Sequence, residues 1–261
     1  CQFTMAVRER EVVAWGNEYW GACNVPEGLT GVVAVAAGWY HGQALKSDGT
    51  ITAWGTDYNG QNLNGVPAGL SEVVAIVAKQ TFNLALKADG TVVGWGNDYS
   101  GQCSGTTNLA DIVAIAGGTG FGLALKSDGT VVAWGYNGHG ECNVPAGLSN
   151  VMAIAAGEQS SLVLKSNGEV VAWGSNSWGQ CTIPAGLADV VAIAAAETHN
   201  LALKSDGTVV AWGRNNVGQC NVPAGLTDVA AIAAGDSHSL VVNADGTMVA
   251  WGQYYLNDGS G

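Results

Sequence analysis

The apolar positions of this chain fall in short runs that keep returning. Between residues 189 and 213 one run is Val190-Val-Ala-Ile-Ala-Ala-Ala196, the next Asn200-Leu-Ala-Leu-Lys204, and the third Thr208-Val-Val-Ala-Trp212. Runs this short, bounded by glycine, asparagine and serine, predict strands, here called A, B and C. They are not simple alternations. In Thr130-Val-Val-Ala-Trp134 one face carries Val131 and Ala133, the other Val132 and Trp134. A strand apolar on both faces has to be covered on both.

The triplet repeats from end to end. Its Trp-Gly pairs begin at Trp15, Trp54, Trp95, Trp134, Trp173, Trp212 and Trp251, spaced 39, 41, 39, 39, 39 and 39 residues apart. Such a period is the mark of a solenoid or a propeller. Radially packed small sheets cover both strand faces, and the Ala- and Gly-rich run A suits the crowded inner position. The expectation is an all-β, seven-bladed β-propeller forming one domain over 1–261. Its repeats are roughly 1–30 (partial), 31–71, 72–110, 111–149, 150–188, 189–227 and 228–261. Copies of A begin at Val32, Val73, Ile112, Val151, Val190 and Val229, six against seven of C, so one blade lacks a full strand set. Asp48-Gly49, Asp89-Gly90, Asp128-Gly129, Asn167-Gly168, Asp206-Gly207 and Asp245-Gly246 stand between B and C. They predict two-residue hairpins. The Gly-, Asn- and Pro-rich stretch after C leaves room for a loop and a short fourth strand D.

The pattern V-x-A-I-A-A-G-x-x-H-x-L-A-L-K-x-D-G-x-V-x-A-W-G resembles the repeat of the regulator-of-chromosome-condensation-1 family. Gly179-Gln180 and the Ile183-Pro184-Ala185 tail look closest to its bacterial members, secreted inhibitor-like propellers among them. The resemblance covers nearly the whole chain. It implies the propeller fold, a protein-binding role at the outside of a bacterial cell, and a grip through loop aromatics on one face. It specifies fold far more closely than function, because propellers host many functions.

Charge narrows the partners. Nine Lys and Arg stand against 21 Asp and Glu, a net charge of −12. Lys46, Lys87, Lys126, Lys165 and Lys204 share one repeat position, so they are spaced out and form no stripe of the kind that neutralises phosphates. Nucleic acid is therefore not an expected partner. No run of 18 apolar residues predicts a membrane span. Starting at Cys1 with strand B following at once, the chain reads as processed or trimmed. Cys23, Cys103, Cys142, Cys181 and Cys220 each lie eight residues after a ladder tryptophan. Equivalent positions in neighbouring sheets are about 10 Å apart, beyond the roughly 7 Å reach of a disulfide. They read as small buried side chains. No Cys-x2-Cys pair or Ser–His–Asp set appears, so no metal, cofactor or enzymatic activity is expected.

Comparison among the repeats points to a face. The B–C turns are nearly uniform, whereas the A–B and C–D loops vary, and antiparallel order puts both variable loops at one end. That end holds the candidate contact residues Tyr19, Trp20, Trp39, Tyr40, His41, Tyr58, Phe82, Tyr99, Phe121, Tyr136, Trp178, Tyr254 and Tyr255. Glu18, Asp57, Asp98, Glu158, Glu197 and Asp236 accompany them. Tyr and Trp offer large contact area at low entropic cost and dominate binding hot spots. The expected partner is a protein with a basic or neutral patch. A glycan held as by a lectin, or a lyase substrate in an axial pocket, are the alternatives. His41, His199 and His238 share one repeat position and are expected to bond their own loop backbones.

Overall fold

The computed structural model describes residues 3–8, 11–16, 21–56 and 65–253. The first repeat is a hairpin of β1(Phe3–Arg8) and β2(Glu11–Gly16). Six triplets follow: β3(Val32–Ala37), β4(His41–Lys46), β5(Ile51–Gly55); β6(Val73–Ala78), β7(Phe82–Lys87), β8(Val92–Gly96); and β9(Ile112–Gly117), β10(Phe121–Lys126), β11(Val131–Gly135). The last three are β12(Val151–Ala156), β13(Ser160–Lys165), β14(Val170–Gly174); β15(Val190–Ala195), β16(His199–Lys204), β17(Val209–Gly213); and β18(Val229–Ala234), β19(His238–Asn243), β20(Met248–Gly252). Each triplet is one sheet with B in the middle. The all-β architecture is thus six three-stranded sheets, consistent with a β-propeller. The complete blades number six, not seven, because the seventh Trp-Gly unit is the two-stranded β1–β2 sheet.

Two local expectations are corrected. Among the described residues no strand D forms; the stretch after C is turns, with a single 3₁₀ turn at Ser104–Thr106. Its amides are taken by side chains. Asn137, Asn176 and Asn215 accept the amides of Cys142, Cys181 and Cys220 through Oδ1 at 2.8, 2.8 and 2.9 Å. Donors used in this way are lost to a strand ladder. The B–C connection is also longer than two residues. Gly49 N donates to Lys46 O at 2.9 Å, Lys46 N to Thr50 O at 2.9 Å, and Gly49 sits at φ +76°. This is the longer hairpin turn with glycine in the left-handed region, because Asp48 serves as an internal cap instead of a second left-handed residue. Its Oδ1 accepts from Thr50 N at 2.9 Å and from Thr50 Oγ1. The same bonds hold the carboxyl of Asp89 down to about 2.

The chain divides into two compact units, one built mainly on Cys1–Gly120 with Trp134–Tyr136, the other on Phe121–Ala133 with Asn137–Tyr254. In the first, Leu45 of β4 packs with Val73, Ala85 and Trp95 of the next repeat. In the second, Leu162 and Leu164 of β13 pack with Val190, Ala202 and Trp212 of the next. Leu201, Leu203, Val229, Val241 and Trp251 repeat the arrangement one step on. Sheets therefore bury both faces against neighbours, as the two-sided apolar strands require.

Hydrogen bonds reinforce each seam. Trp173, Trp212 and Trp251 donate through Nε1 to the carbonyls of Glu141, Gln180 and Gln219 at 2.8, 3.0 and 2.9 Å. Those carbonyls belong to the C–D loop of the preceding repeat. Ser161 Oγ, Asn200 Nδ2 and Ser239 Oγ donate to the same three oxygens at 2.7, 2.8 and 2.8 Å, which uses both lone pairs. In the first unit Trp54 and Trp134 bond Ala22 O and Gln102 O at 2.8 and 2.9 Å.

Candidate functional site

The two ends of the sheets carry different duties. At one end the B–C turns are tied to the following repeat. Val73 N donates to Gly49 O, Ile112 N to Gly90 O, and Val151 N to Gly129 O, each at 3.1 Å. A side chain at Gly49 would meet the backbone of Glu72 at 3.1 Å. These turns are uniform because each must fit its neighbour. At the other end the A–B and C–D loops are joined within each repeat. Thr56 N donates to Tyr40 O, Ser175 N to Gln159 O and Arg214 N to Thr198 O, all at 2.9 Å. Within each repeat the variable loops therefore lie together, and the contacts they make with the next repeat, such as Glu158 N to Glu197 O at 3.2 Å, are not the same from repeat to repeat.

The candidate residues separate by burial. Tyr99 is 96% exposed, Trp178 50% and Tyr136 42%. Trp39 and Tyr40 are half-buried and meet edge to face, with ring centroids 6.2 Å apart at 72°. They present part of their surface where the sequence suggested broad exposure. Tyr19, Trp20, Tyr58, Tyr254 and Tyr255, with Glu18 and Asp57, lie outside the described residues. His41, Phe82 and Phe121 are fully buried, which removes them from any contact surface. They are the first residues of β4, β7 and β10, not loop residues.

Two of the three histidines at the shared repeat position, His41 and His199, reach across to the next repeat. His41 Nε2 meets Asn83 Oδ1 at 2.7 Å, and His199 Nε2 meets Ser239 Oγ at 3.0 Å, each partner on the next repeat's B strand. They bridge repeats. Burial, with His238 nearby, pushes the His199 imidazole down to about 4. It is neutral near pH 7 and its contribution to stability is lost as pH falls from its ordinary value toward 4. His139 is exposed. Burial raises Cys103 to about 12 and Cys142, Cys181 and Cys220 to about 11, and Cys103 Sγ donates to Asn97 O at 3.1 Å. Among the described residues no three His, Cys, Asp or Glu are grouped to hold a metal. No helix there is long and apolar enough to cross a membrane.

Of the acids, Asp98 is a loop cap that accepts Cys103 N and Ser104 N at 2.7 and 2.9 Å. Glu197 and Asp236, on consecutive A–B loops, share a carboxyl–carboxyl hydrogen bond, and Glu158 N donates to Glu197 O at 3.2 Å. Burial, with Asp236 and Glu158 nearby, raises Glu197 to about 7. Its folded-state value lies above its unfolded one, so its stabilising effect is full below the ordinary carboxylate range and lost as pH rises through about 7. Glu197→Gln keeps the shape without the charge. The variant is expected to melt higher than wild type at pH 8 and alike at pH 4, by thermal denaturation. Equal melting at both values would remove the shared-proton account.

One residue was not singled out from the sequence. The Arg214 guanidinium lies 4.5 Å from the centroid of the Trp178 ring. The signal was available: Arg214 is a cation two residues after a ladder tryptophan, where Thr56, Asn97, Tyr136, Ser175 and Gln253 stand in other repeats.

The model of the Regulator of chromosome condensation (RCC1) repeat matches six times, at residues 32–61, 73–102, 112–141, 152–180, 190–219 and 229–257. The chain belongs to the RCC1 repeat family. Each match runs from strand A into the C–D loop, so the six matches are the six three-stranded sheets. No curated protein is similar enough to match. Among solved structures the chain is similar to Prp20p of Saccharomyces cerevisiae, described with its binding properties to Gsp1p and histones. The identity is 23% and the TM-score 0.68, over 85% of this chain and 72% of that one. The yeast RCC1 (Prp20) bound to Kap60 gives 22% and 0.70, over 85% and 70%. The CRINKLY ectodomain of the Arabidopsis thaliana receptor kinase ACR4 gives 20% and 0.75, over 97% and 92%. At these identities the likeness to the RCC1 structures is one of fold.

Proposed function

We propose that this RCC1-repeat chain is a non-enzymatic protein-binding module whose contact face is the A–B and C–D loop end. The observation that carries the reading is the exposure of Tyr99, Tyr136 and Trp178 at the end whose loops are free to vary. The other end is committed to joining repeats. Yeast Prp20 is a relative whose structure holds Kap60 as a bound protein, which favours protein over small-molecule recognition. The reading of residues 1–261 as a single domain belongs to this proposal. So does a place outside a bacterial cell, with inhibition of a secreted enzyme as the narrower role. The acidic loops, Glu158, Glu197 and Asp236 among them, suit a partner whose facing patch is basic or neutral overall.

The test is capture of partners from the native environment by the wild-type chain and by Tyr99→Ala, Trp39→Ala and Trp178→Ala. Each single change is expected to weaken binding by about 1–3 kcal/mol. Changes at Lys126 or Asp128 of the B–C end are expected to leave it intact. The reverse pattern would place function at the B–C end. Saturable glycan binding that the aromatic variants abolish, without any captured protein, would favour the lectin reading.

A further inference from the structure

Trp178 and Arg214 stand on the C–D loops of consecutive repeats in the second compact unit. Both backbones are pinned. Trp178 N donates to Gln180 Oε1 at 2.9 Å; Arg214 N donates to Thr198 O at 2.9 Å, and Arg214 O accepts from Cys220 Sγ at 3.2 Å. The guanidinium carbon lies over the face of an indole that remains half exposed, 4.5 Å from its centroid. Its Nε is buried without a hydrogen-bond partner. Arg214 makes no ion pair with any described residue, in a chain with 21 Asp and Glu. Every lysine of the B–C turns that appears in an ion pair has a carboxylate within its own turn; Arg214 has none.

An arginine stacked on an aromatic ring has lost its side-chain freedom before any ligand arrives, and its remaining N–H edge is shaped for a planar oxyanion. Most of the ordering cost of binding is therefore already met. We propose that the Trp178–Arg214 stack is a carboxylate-accepting anchor that takes one acidic side chain of a protein partner. The proposal rests on the binding-face reading and names a feature the partner must carry. The same N–H edge could take a phosphate. The net charge of −12 opposes a dianion more than a single carboxylate, and so favours an acidic residue set in an otherwise neutral or basic patch.

The experiment uses the full chain and a defined probe, the capped tripeptide acetyl-Gly-Glu-Gly-amide, beside its Gln counterpart and inorganic phosphate. The readout is the Trp178 indole N–H resonance, assigned by its loss in Trp178→Ala. The Glu peptide is expected to shift it saturably, and the Gln peptide not at all. Arg214→Gln is expected to weaken the response at least about tenfold with the resonance still present, since the charge-assisted pair is gone. Arg214→Lys, which keeps the charge without the fork, is expected to fall between. Equal responses to the Glu and Gln peptides, an undiminished response in Arg214→Gln, or a response to phosphate alone would each overturn the assignment. None of these outcomes touches the capture experiment with Tyr99→Ala, which carries no charge requirement, so the two readings fail separately.

Discussion

Trp212→Ala is expected to lower the unfolding free energy by about 3–5 kcal/mol, the range for truncating large core aromatics. The indole is 7% exposed and packs with Leu162, Leu164, Val170, Val190 and Ala202, so its removal opens a cavity between two sheets. It also removes the Nε1 donor from Gln180 O, though Asn200 Nδ2 still serves that oxygen. Trp212→Phe separates the two effects. It keeps most of the packing and loses the donor, and should cost only about 1 kcal/mol beyond the volume change. Trp178→Ala is the contrast, because that indole is half exposed; it should cost about 1 kcal/mol, mostly the lost contact with Arg214. Urea denaturation of the three variants measures all of this. A loss under about 1 kcal/mol for Trp212→Ala would contradict the account of how sheets adhere.

The same tryptophans show how far the sequence could be read. Their period gave the repeat, and the six expected starts of strand A coincide with the starts of β3, β6, β9, β12, β15 and β18. That succeeds because a two-sided apolar strand with a glycine turn beside it leaves few alternatives. The hydrogen bonds of Trp54, Trp134, Trp173, Trp212 and Trp251 to loops 32 residues back were not legible, since backbone acceptors leave no trace in sequence. Strand D failed for a related reason: asparagine side chains took the amides that a ladder would have used. Among the candidate residues, Tyr99, Tyr136 and Trp178 are exposed, as their place in the variable loops suggested. Phe82, Phe121 and His41 were misplaced by a single residue of boundary. One step from loop to strand turned them from an exposed edge into the seam. Arg214 was passed over because one cation in an acidic chain attracts little notice until its stacking is seen.

The repeat comparison also exposes a position where the chain departs from its own rule, and the departure should be correctable. Gln43 occupies the middle of β4 opposite Ala36 and Ala53. The matching residues of the other five sheets are Leu84, Leu123, Leu162, Leu201 and Leu240. Gln43 is fully buried, and neither its Nε2 nor its Oε1 has a hydrogen-bond partner. A buried amide left unpaired forfeits the hydration it had in the unfolded chain, at a cost of about 1–3 kcal/mol. Leucine is close to glutamine in volume and presents no polar atoms, so it fills the place without crowding β4. Gln43→Leu is therefore expected to raise the unfolding free energy by about 1–3 kcal/mol. Gln43→Ala should gain less or lose stability, because relief of the amide is set against the cavity it leaves. Thermal melts of both variants beside wild type decide the matter. A Gln43→Leu chain that melts at or below the wild-type temperature would mean that the amide is satisfied in solution, and that this seam is built around a polar residue.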